Sequence, residues 1–274
     1  MSKKKHHLPA EEVEVLSFSD GYLFHDIYGT PHPAPRILVP VADTHGHLGS
    51  LHEHSAADSL ARAAAAGVRM LIVPVDIATE FPRKWSDTST FTTWFENILR
   101  QARGAYTKLV EADLCVPCDI PAEYLFEHTY FVVGAHPYSA PDYNQEAEQR
   151  LFELLEHPLC VGVGEIGLDF GPYCEVSEEV QCQAFERQLL IAHEHSQRVE
   201  LHLRDGADNV HAHDLALEIL NRLGVPKAGC DLHCYTDGPE VMKPFANLGC
   251  FVAFGGAATF KRSDDIRAAM ISCP

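Results

Sequence analysis

From residue 37 onward, short runs rich in β-branched and other apolar residues alternate with longer stretches whose apolar positions return every three or four residues. The first pattern suits buried strands and the second amphipathic helices. The runs Ile37–Ala42, Arg69–Val75, Tyr130–Gly134, Leu159–Gly164, Val199–His202, Gly229–His233 and Cys250–Gly255 predict seven strands. The segments Ser55–Ala66, Thr88–Glu111, Asn144–Glu156, Glu178–Ser196, Asp208–Leu223, Pro239–Asn247 and Ser263–Met270 predict helices. Ser55 suits an N-cap and Gly67 a stop for the first of these. Every strand after the first is reached by a crossover, and no two-residue hairpin signal stands out, which is the order of parallel βαβ units. The expected fold class is α/β, a TIM-type (β/α) barrel with seven of its eight strands readable. A doubly wound open sheet shares this periodicity.

Residues 1–36 break the pattern, and Pro31, Pro33 and Pro35 argue against a regular element there. An irregular N-terminal extension over 1–36 is therefore expected to precede a barrel over 37–274. A chain of 274 residues fits one such barrel. No apolar run approaches the roughly 20 residues that cross a bilayer, and Leu8-Pro-Ala-Glu-Glu12 follows the basic start where a leader would need an apolar stretch. The chain reads as cytoplasmic, with no membrane and no protein partner indicated.

Charge and cysteine content narrow the picture further. Nine cysteines in a cytosolic chain are expected to be free thiols. Cys115-Val-Pro-Cys118 has metal-ligand spacing but lacks a second pair to complete a zinc site, and Cys160 and Cys250 read as small core residues. The net charge of −18 argues against gripping a long duplex through its phosphates. Lys3-Lys4-Lys5 is too short a run to change that. If the substrate is a nucleic acid, most of the positive charge must come from bound metal.

Among 17 histidines, four stand at the ends of predicted strands. In Asp43-Thr-His45-Gly-His47 the two imidazoles lie two residues apart in extended chain, so both can face one ion. Barrel enzymes place such groups at the C-terminal ends of strands. In Val163-Gly-Glu165-Ile-Gly-Leu-Asp169 a carboxylate sits between glycines directly after an apolar run, where it can bridge two cations. His202 and His233 end the next two strands. Each of these features alone is weak; their matching positions on the first, fourth, fifth and sixth strands point to one metal centre. Nitrogen and carboxylate ligands without thiolate suit Mg, Mn, Zn or Ni, as one or two divalent ions.

The chain from Ile37 onward resembles the TatD family of metal-dependent deoxyribonucleases, among the amidohydrolase-like barrels. The resemblance rests on Asp43-Thr-His-Gly-His-Leu48, Gly134-Ala-His136-Pro137, Gly164-Glu-Ile-Gly-Leu-Asp169, His202-Leu-Arg-Asp205, His233-Cys-Tyr235 and Gly255 through Thr259-Phe260-Lys261. It implies that His45 and His47 bind one metal, that His202 and His233 serve a second, and that Glu165 bridges them as the catalytic carboxylate. It also implies that His136 and Arg204 contact substrate phosphate, and that Asp169 orients its loop. The activity implied is cleavage of DNA phosphodiesters from a strand end, single-stranded DNA being the expected partner. Gly49 departs from the family's acidic residue after the H-x-H pair. More importantly, the family's closing Glu-Thr-Asp segment, on the eighth strand, is not reached before Pro274. The chain is read as a fragment rather than a natural truncation, because an open barrel exposes two strand edges. Two other readings remain: an amidohydrolase-type enzyme acting on a small amide, lactone or phosphoester, and an inactive truncated barrel.

Overall fold

A computed structural model describes residues 16–18, 20–26, 28–34, 36–48, 54–115, 119–206 and 209–274. Lys3-Lys4-Lys5, Gly49, Cys118 and Asp208 lie outside these residues. The chain divides into two compact units, one comprising residues 1–73 and 89–129, the other 74–88 and 130–274.

The first unit holds strands β1 (Phe24–His25), β2 (Pro31–His32) and β3 (Val41–Asp43), most of β4 (Val68–Asp76), and helices α1 (Ala56–Ala65), α3 (Thr88–Glu111, but for its first residue) and α4 (Glu123–Glu127). β1 and β2 pair antiparallel, Phe24 against His32 and His25 against Pro31. This corrects the expectation of a wholly irregular extension. The turn is organised by a side chain: Asp26 Oδ1 accepts hydrogen bonds from the backbone N–H groups of Tyr28 and Thr30. Pro31 is tolerated because it opens its strand. β3 runs parallel to β4, Asp43 opposite Leu71. It begins at Val41 rather than Ile37, and the Ile37 side chain instead packs over Gly67. Gly67, at φ +95°, stops α1, and Ser55 caps the other end by accepting from Asp58 N–H, both as the sequence suggests. Leu16, Leu23, Ala61, Ala65 and Leu109 form a buried cluster in this unit.

The second unit holds the rest of β4, then α2 (Phe81–Lys84), β5 (Thr129–Gly134, but for its first residue), α5 (Gln145–Leu155), β6 (Cys160–Asp169), α6 (Glu178–Glu194), β7 (Arg198–Arg204), α7 (His211–Leu223), β8 (Cys230–Leu232), α8 (Pro239–Asn247), β9 (Phe251–Val252) and α9 (Asp264–Ser272). Strands β5 to β9 are parallel and hydrogen-bonded in chain order, with helices between successive strands. The α/β class and the parallel order expected of a TIM-type barrel are both present. Val163, Leu168, Leu201 and Leu232 are buried on the strands and Phe185, Leu189 and Phe245 on the helices. No helix among the described residues is long and apolar enough to cross a membrane.

Two strands run further than their apolar runs suggest. β6 continues through Asp169, with a register irregularity between Val163 and Ile166, so Glu165 lies inside the strand rather than after it. β7 continues to Arg204 and carries His202 within it. Two buried glutamines of α6 hold the backbone at the strand ends. Gln188 accepts from Ala135 N–H at 2.7 Å and donates to Ala135 C=O at 3.2 Å. Gln181 does the same for Asp169, at 2.7 and 3.0 Å. Backbone groups past the ladder are thereby satisfied without water.

Gly167, at φ +145° and opposite His202, has no room for a side chain, since an added Cβ would overlap the His202 carbonyl oxygen. Gly167→Ala is expected to destabilise the fold by about 3 kcal/mol or more, from positive-φ strain and the forced separation of β6 from β7. Urea unfolding followed by circular dichroism measures this. A loss under about 1 kcal/mol would contradict the close approach.

Candidate metal centre

Alternation along β7 puts Glu200, His202 and Arg204 on one face of the strand. Glu165 reaches the same point from β6, and His233 follows directly after β8. Their donor atoms converge on one carboxylate oxygen. Glu165 Oε1 lies 2.7 Å from His202 Nδ1 and 2.8 Å from His233 Nε2. His136, just past β5, adds its Nε2 at 3.7 Å from the same oxygen.

Each ring is set from behind. Asp169, with no exposed surface, holds His202 Nε2 at 2.9 Å and also accepts from Gly171 N–H at 2.8 Å. Carboxylates accept only, so in the metal-free chain Nε2–H donates to Asp169 and Nδ1–H to Glu165; the Nδ1 proton is the one a bound ion would replace. This carboxylate–imidazole relay is the arrangement that orients metal-bound histidines. His233 Nδ1–H donates to the Leu201 carbonyl oxygen at 2.8 Å, which turns Nε2 inward, where its proton faces Glu165 in the metal-free chain. His136 is the reverse: its Nδ1 accepts from Tyr138 N–H at 3.1 Å, leaving Nε2–H pointing at the site. His136 is therefore placed as a hydrogen-bond donor toward the cluster. Arg204 lies at the outer edge, its Nη1 3.3 Å from Tyr138 Oη and 3.5 Å from Asp169 Oδ2.

The electrostatics follow from burial and these contacts. Burial alone would push the Glu165 carboxyl up, but His202 and His233 hold it well below the usual carboxylate range. Burial alone would lower His202, but Asp169 and Glu165 outweigh it and raise that ring; Glu165 does the same for His233. Glu200 is buried beneath the cluster, and burial pushes its carboxyl well above the usual range, which keeps it neutral. Burial, with the neighbouring His202, lowers His136 to about 4.

A histidine that protonates less readily when folded removes stability as pH falls. For His136 that loss falls between about 6.5 and about 4. The window contributes about 3 kcal/mol. His202 and His233 are shifted upward, so their contribution is complete below 6.5 and is lost only as pH rises. In the metal-free chain, His136→Gln is expected to flatten the stability curve between pH 6.5 and 4, measured by denaturant titration at each pH. Parallel curves for the two proteins would contradict this.

The H-x-H pair belongs to the first unit and stands just past β3, where the sequence placed it. His45 Nε2 and His47 Nε2 are 3.0 Å apart. Two nitrogens each ~2.1 Å from one ion, at about a right angle, have this separation. The turn is tied down by His45 N–H donating to Asp43 Oδ1 and by Gly46 N–H donating to the Ile72 carbonyl. Of the residues singled out in the sequence, Glu165, His202, His233, His136 and Arg204 come together in the second unit. His45 and His47 come together in the first. Imidazole nitrogens and carboxylate oxygens without a thiolate make a donor set that fits a divalent ion.

Sequence reasoning missed Asp76 and Glu200. Asp76 Oδ2 accepts from the His136 backbone N–H at 3.1 Å and so fixes the chain at that residue. Glu200 was legible as the residue two before His202 on the same strand face. Of the cysteines expected in the core, Cys250 is buried and Cys160 only partly so, and the cysteines among the described residues are free thiols.

Comparison with known proteins places the chain in a family. The chain is 29% identical over 138 residues to the uncharacterized metal-dependent hydrolase YabD of Bacillus subtilis, covering 50% of this chain and 51% of that protein. It is 31% identical over 131 residues to the 3'-5' ssDNA/RNA exonuclease TatD of Escherichia fergusonii, covering 48% of each. The chain thus spans about half the length of these curated relatives. In three dimensions it is similar to the crystal structure of YJJV, a TatD homologue from Escherichia coli K12. There the TM-score is 0.59 at 25% identity, over 85% of this chain and 74% of that one. Residues 42–274 match the profile of the family described as TatD related DNase, and the chain belongs to that family.

Proposed function

We propose that this chain carries the metal centre of a hydrolase that cleaves DNA phosphodiesters from a strand end. The observation that carries the reading is the convergence of His202 Nδ1 and His233 Nε2 on Glu165 Oε1, at 2.7 and 2.8 Å, with Asp169 locked behind His202. In this reading His45, His47, Glu165, His202 and His233 hold one or two divalent ions, as the sequence resemblance implies. Bound there, such ions would supply Lewis-acid polarisation of the scissile phosphate and a lowered pKa for the attacking water. The remaining work belongs to side chains. Glu165 presents Oε1 to His202 and His233 from a buried strand. His136 donates Nε2–H toward a non-bridging phosphate oxygen, and its lowered basicity keeps that role unchanged near neutral pH. Arg204, half exposed at the rim, offers a guanidinium to an adjacent phosphate.

Family membership and the name of the Escherichia fergusonii relative, a 3'-5' ssDNA/RNA exonuclease, support strand-end chemistry on single strands. The net charge of −18 fits an enzyme that meets few phosphates at once and relies on metal for positive charge. We place the reaction in the cytoplasm.

The test is a panel of substrates under one metal condition: single-stranded DNA labelled at either end, duplex DNA, RNA, and small lactone and amide esters. The expected result is progressive shortening of single-stranded DNA from one end, with little turnover of the small substrates. Faster turnover of a lactone or amide than of DNA would move the assignment to an amidohydrolase.

A further inference from the structure

Three residues beyond the centre form a second constellation in the same unit. His213, on the first turn of α7, has a side chain only 4% exposed. Its Nδ1 lies 2.6 Å from Asp205 Oδ2, while Asp205 Oδ1 accepts from Ala212 N–H at 2.6 Å and fixes that carboxylate to the helix start. Tyr235 and Phe245 present ring edges to the imidazole at centroid distances of 5.9 and 5.8 Å, so the ring cannot turn freely. Asp205 accepts only, so the proton sits on Nδ1 and Nε2 is left with its lone pair. Asp237 Oδ2 lies 3.9 Å from that nitrogen. The separation is too long for a hydrogen bond, and Nε2 makes none among the described residues. Two ligand atoms bound to one ion at ~2.1 Å each stand about 3.0–4.2 Å apart, depending on the angle between them.

We propose that His213 Nε2 and Asp237 Oδ2 hold an auxiliary divalent transition-metal ion of the zinc class, with Asp205 orienting His213 from behind. Asp237 and Asp205 also line a cleft of about 550 Å³ together with Arg204, Gly206, Asn209 and Thr236, from which water would complete the coordination of a bound ion. A buried imidazole whose one nitrogen is fixed by a carboxylate and whose other nitrogen faces a second carboxylate is a preorganised ligand pair. An ion also resolves a charge conflict. Asp205 and Asp237 line the cleft beside Arg204, where two carboxylates would repel a phosphate, and one divalent cation cancels them. That consequence for the substrate rests on the phosphodiester reading; the site itself does not.

Crystals of the chain grown with Zn²⁺ and measured on both sides of the zinc absorption edge test the proposal directly. An anomalous peak is expected between His213 Nε2 and Asp237 Oδ2, absent in Asp237→Asn while any peak at Glu165 remains. In solution, zinc stoichiometry is expected to fall by one in Asp237→Asn. Asp205→Asn is expected to weaken that one site by about 10–100-fold. Asp237 is one-third exposed, so its amide variant keeps the shape of the site, and a melting curve checks the fold. No peak at this position in wild-type crystals, or equal zinc content in wild type and Asp237→Asn, would overturn the proposal. Loss of hydrolysis in Glu165 variants with the His213 peak intact would leave it standing.

Discussion

Glu165→Gln is expected to lower metal-dependent turnover by about a thousandfold or more, with KM changed far less. The carboxylate receives His202 and His233 on one oxygen, so the substitution removes the only anionic member of that convergence while preserving its volume. Removing an essential part of a unit that acts together collapses the rate nearly as far as removing the whole. A thousandfold corresponds to about 4 kcal/mol of transition-state stabilisation. Metal content should fall in parallel, because a neutral amide neither balances a divalent charge nor bridges two ions. The measurement pairs steady-state kinetics on an oligonucleotide with elemental analysis of dialysed protein. Full activity with unchanged metal content would show that Glu165 serves only to position its neighbours.

Asp169→Ala is expected to produce the largest loss of stability. The carboxylate has no exposed surface and holds the His202 ring at 2.9 Å, the Gly171 N–H at 2.8 Å and, more loosely, Arg204 at 3.5 Å. Burial raises its pKa and the His202 bond more than offsets this, so it stays ionised. Alanine leaves a cationic or unpaired imidazole in a buried site. Breaking such a pair from one side costs about 3–5 kcal/mol, equivalent to a melting temperature lower by roughly 10 °C in a chain of this size. In the sign convention of linkage, a depressed carboxyl contributes stability above its ordinary pKa and loses it as pH falls through the folded value. The deficit of Asp169→Ala should therefore be full at pH 7 and shrink below pH 4. Calorimetric scans at both pH values check this, and a pH-independent deficit would point to a packing defect alone. Metal affinity should also drop about 10–100-fold, because His202 loses the group that orients it.

Much of this arrangement is legible in the amino-acid sequence. Strands β4 to β8 are visible because each buries apolar residues, whereas β3 and β9 are short and largely exposed, and Thr88–Glu111 and Pro239–Asn247 form the helices that their periodicity indicates. The ligand types are visible because short motifs keep them within a few residues of a strand. The features that escape the sequence do so for physical reasons. β6 and β7 outlast their apolar runs because polar groups at their ends are satisfied across the unit, by Gln181 and by the Asp169–His202 pair, and no local pattern records that. The β1–β2 ladder is hidden because the Asp26 side chain, rather than a glycine pair, organises its turn. Asp205, His213 and Asp237 lie on three separate segments, and only folding gives them a common point.

The most direct test of the account is to strip the chain of metal, confirm that it remains folded, and incubate it with end-labelled single-stranded DNA while restoring Mg²⁺, Mn²⁺ or Zn²⁺ one at a time. The account predicts no cleavage without metal and shortening from one end when at least one ion is restored, with activity tracking occupancy of the centre at Glu165. Cleavage that persists in the stripped chain, or a folded and metal-loaded chain that leaves DNA intact, would contradict it.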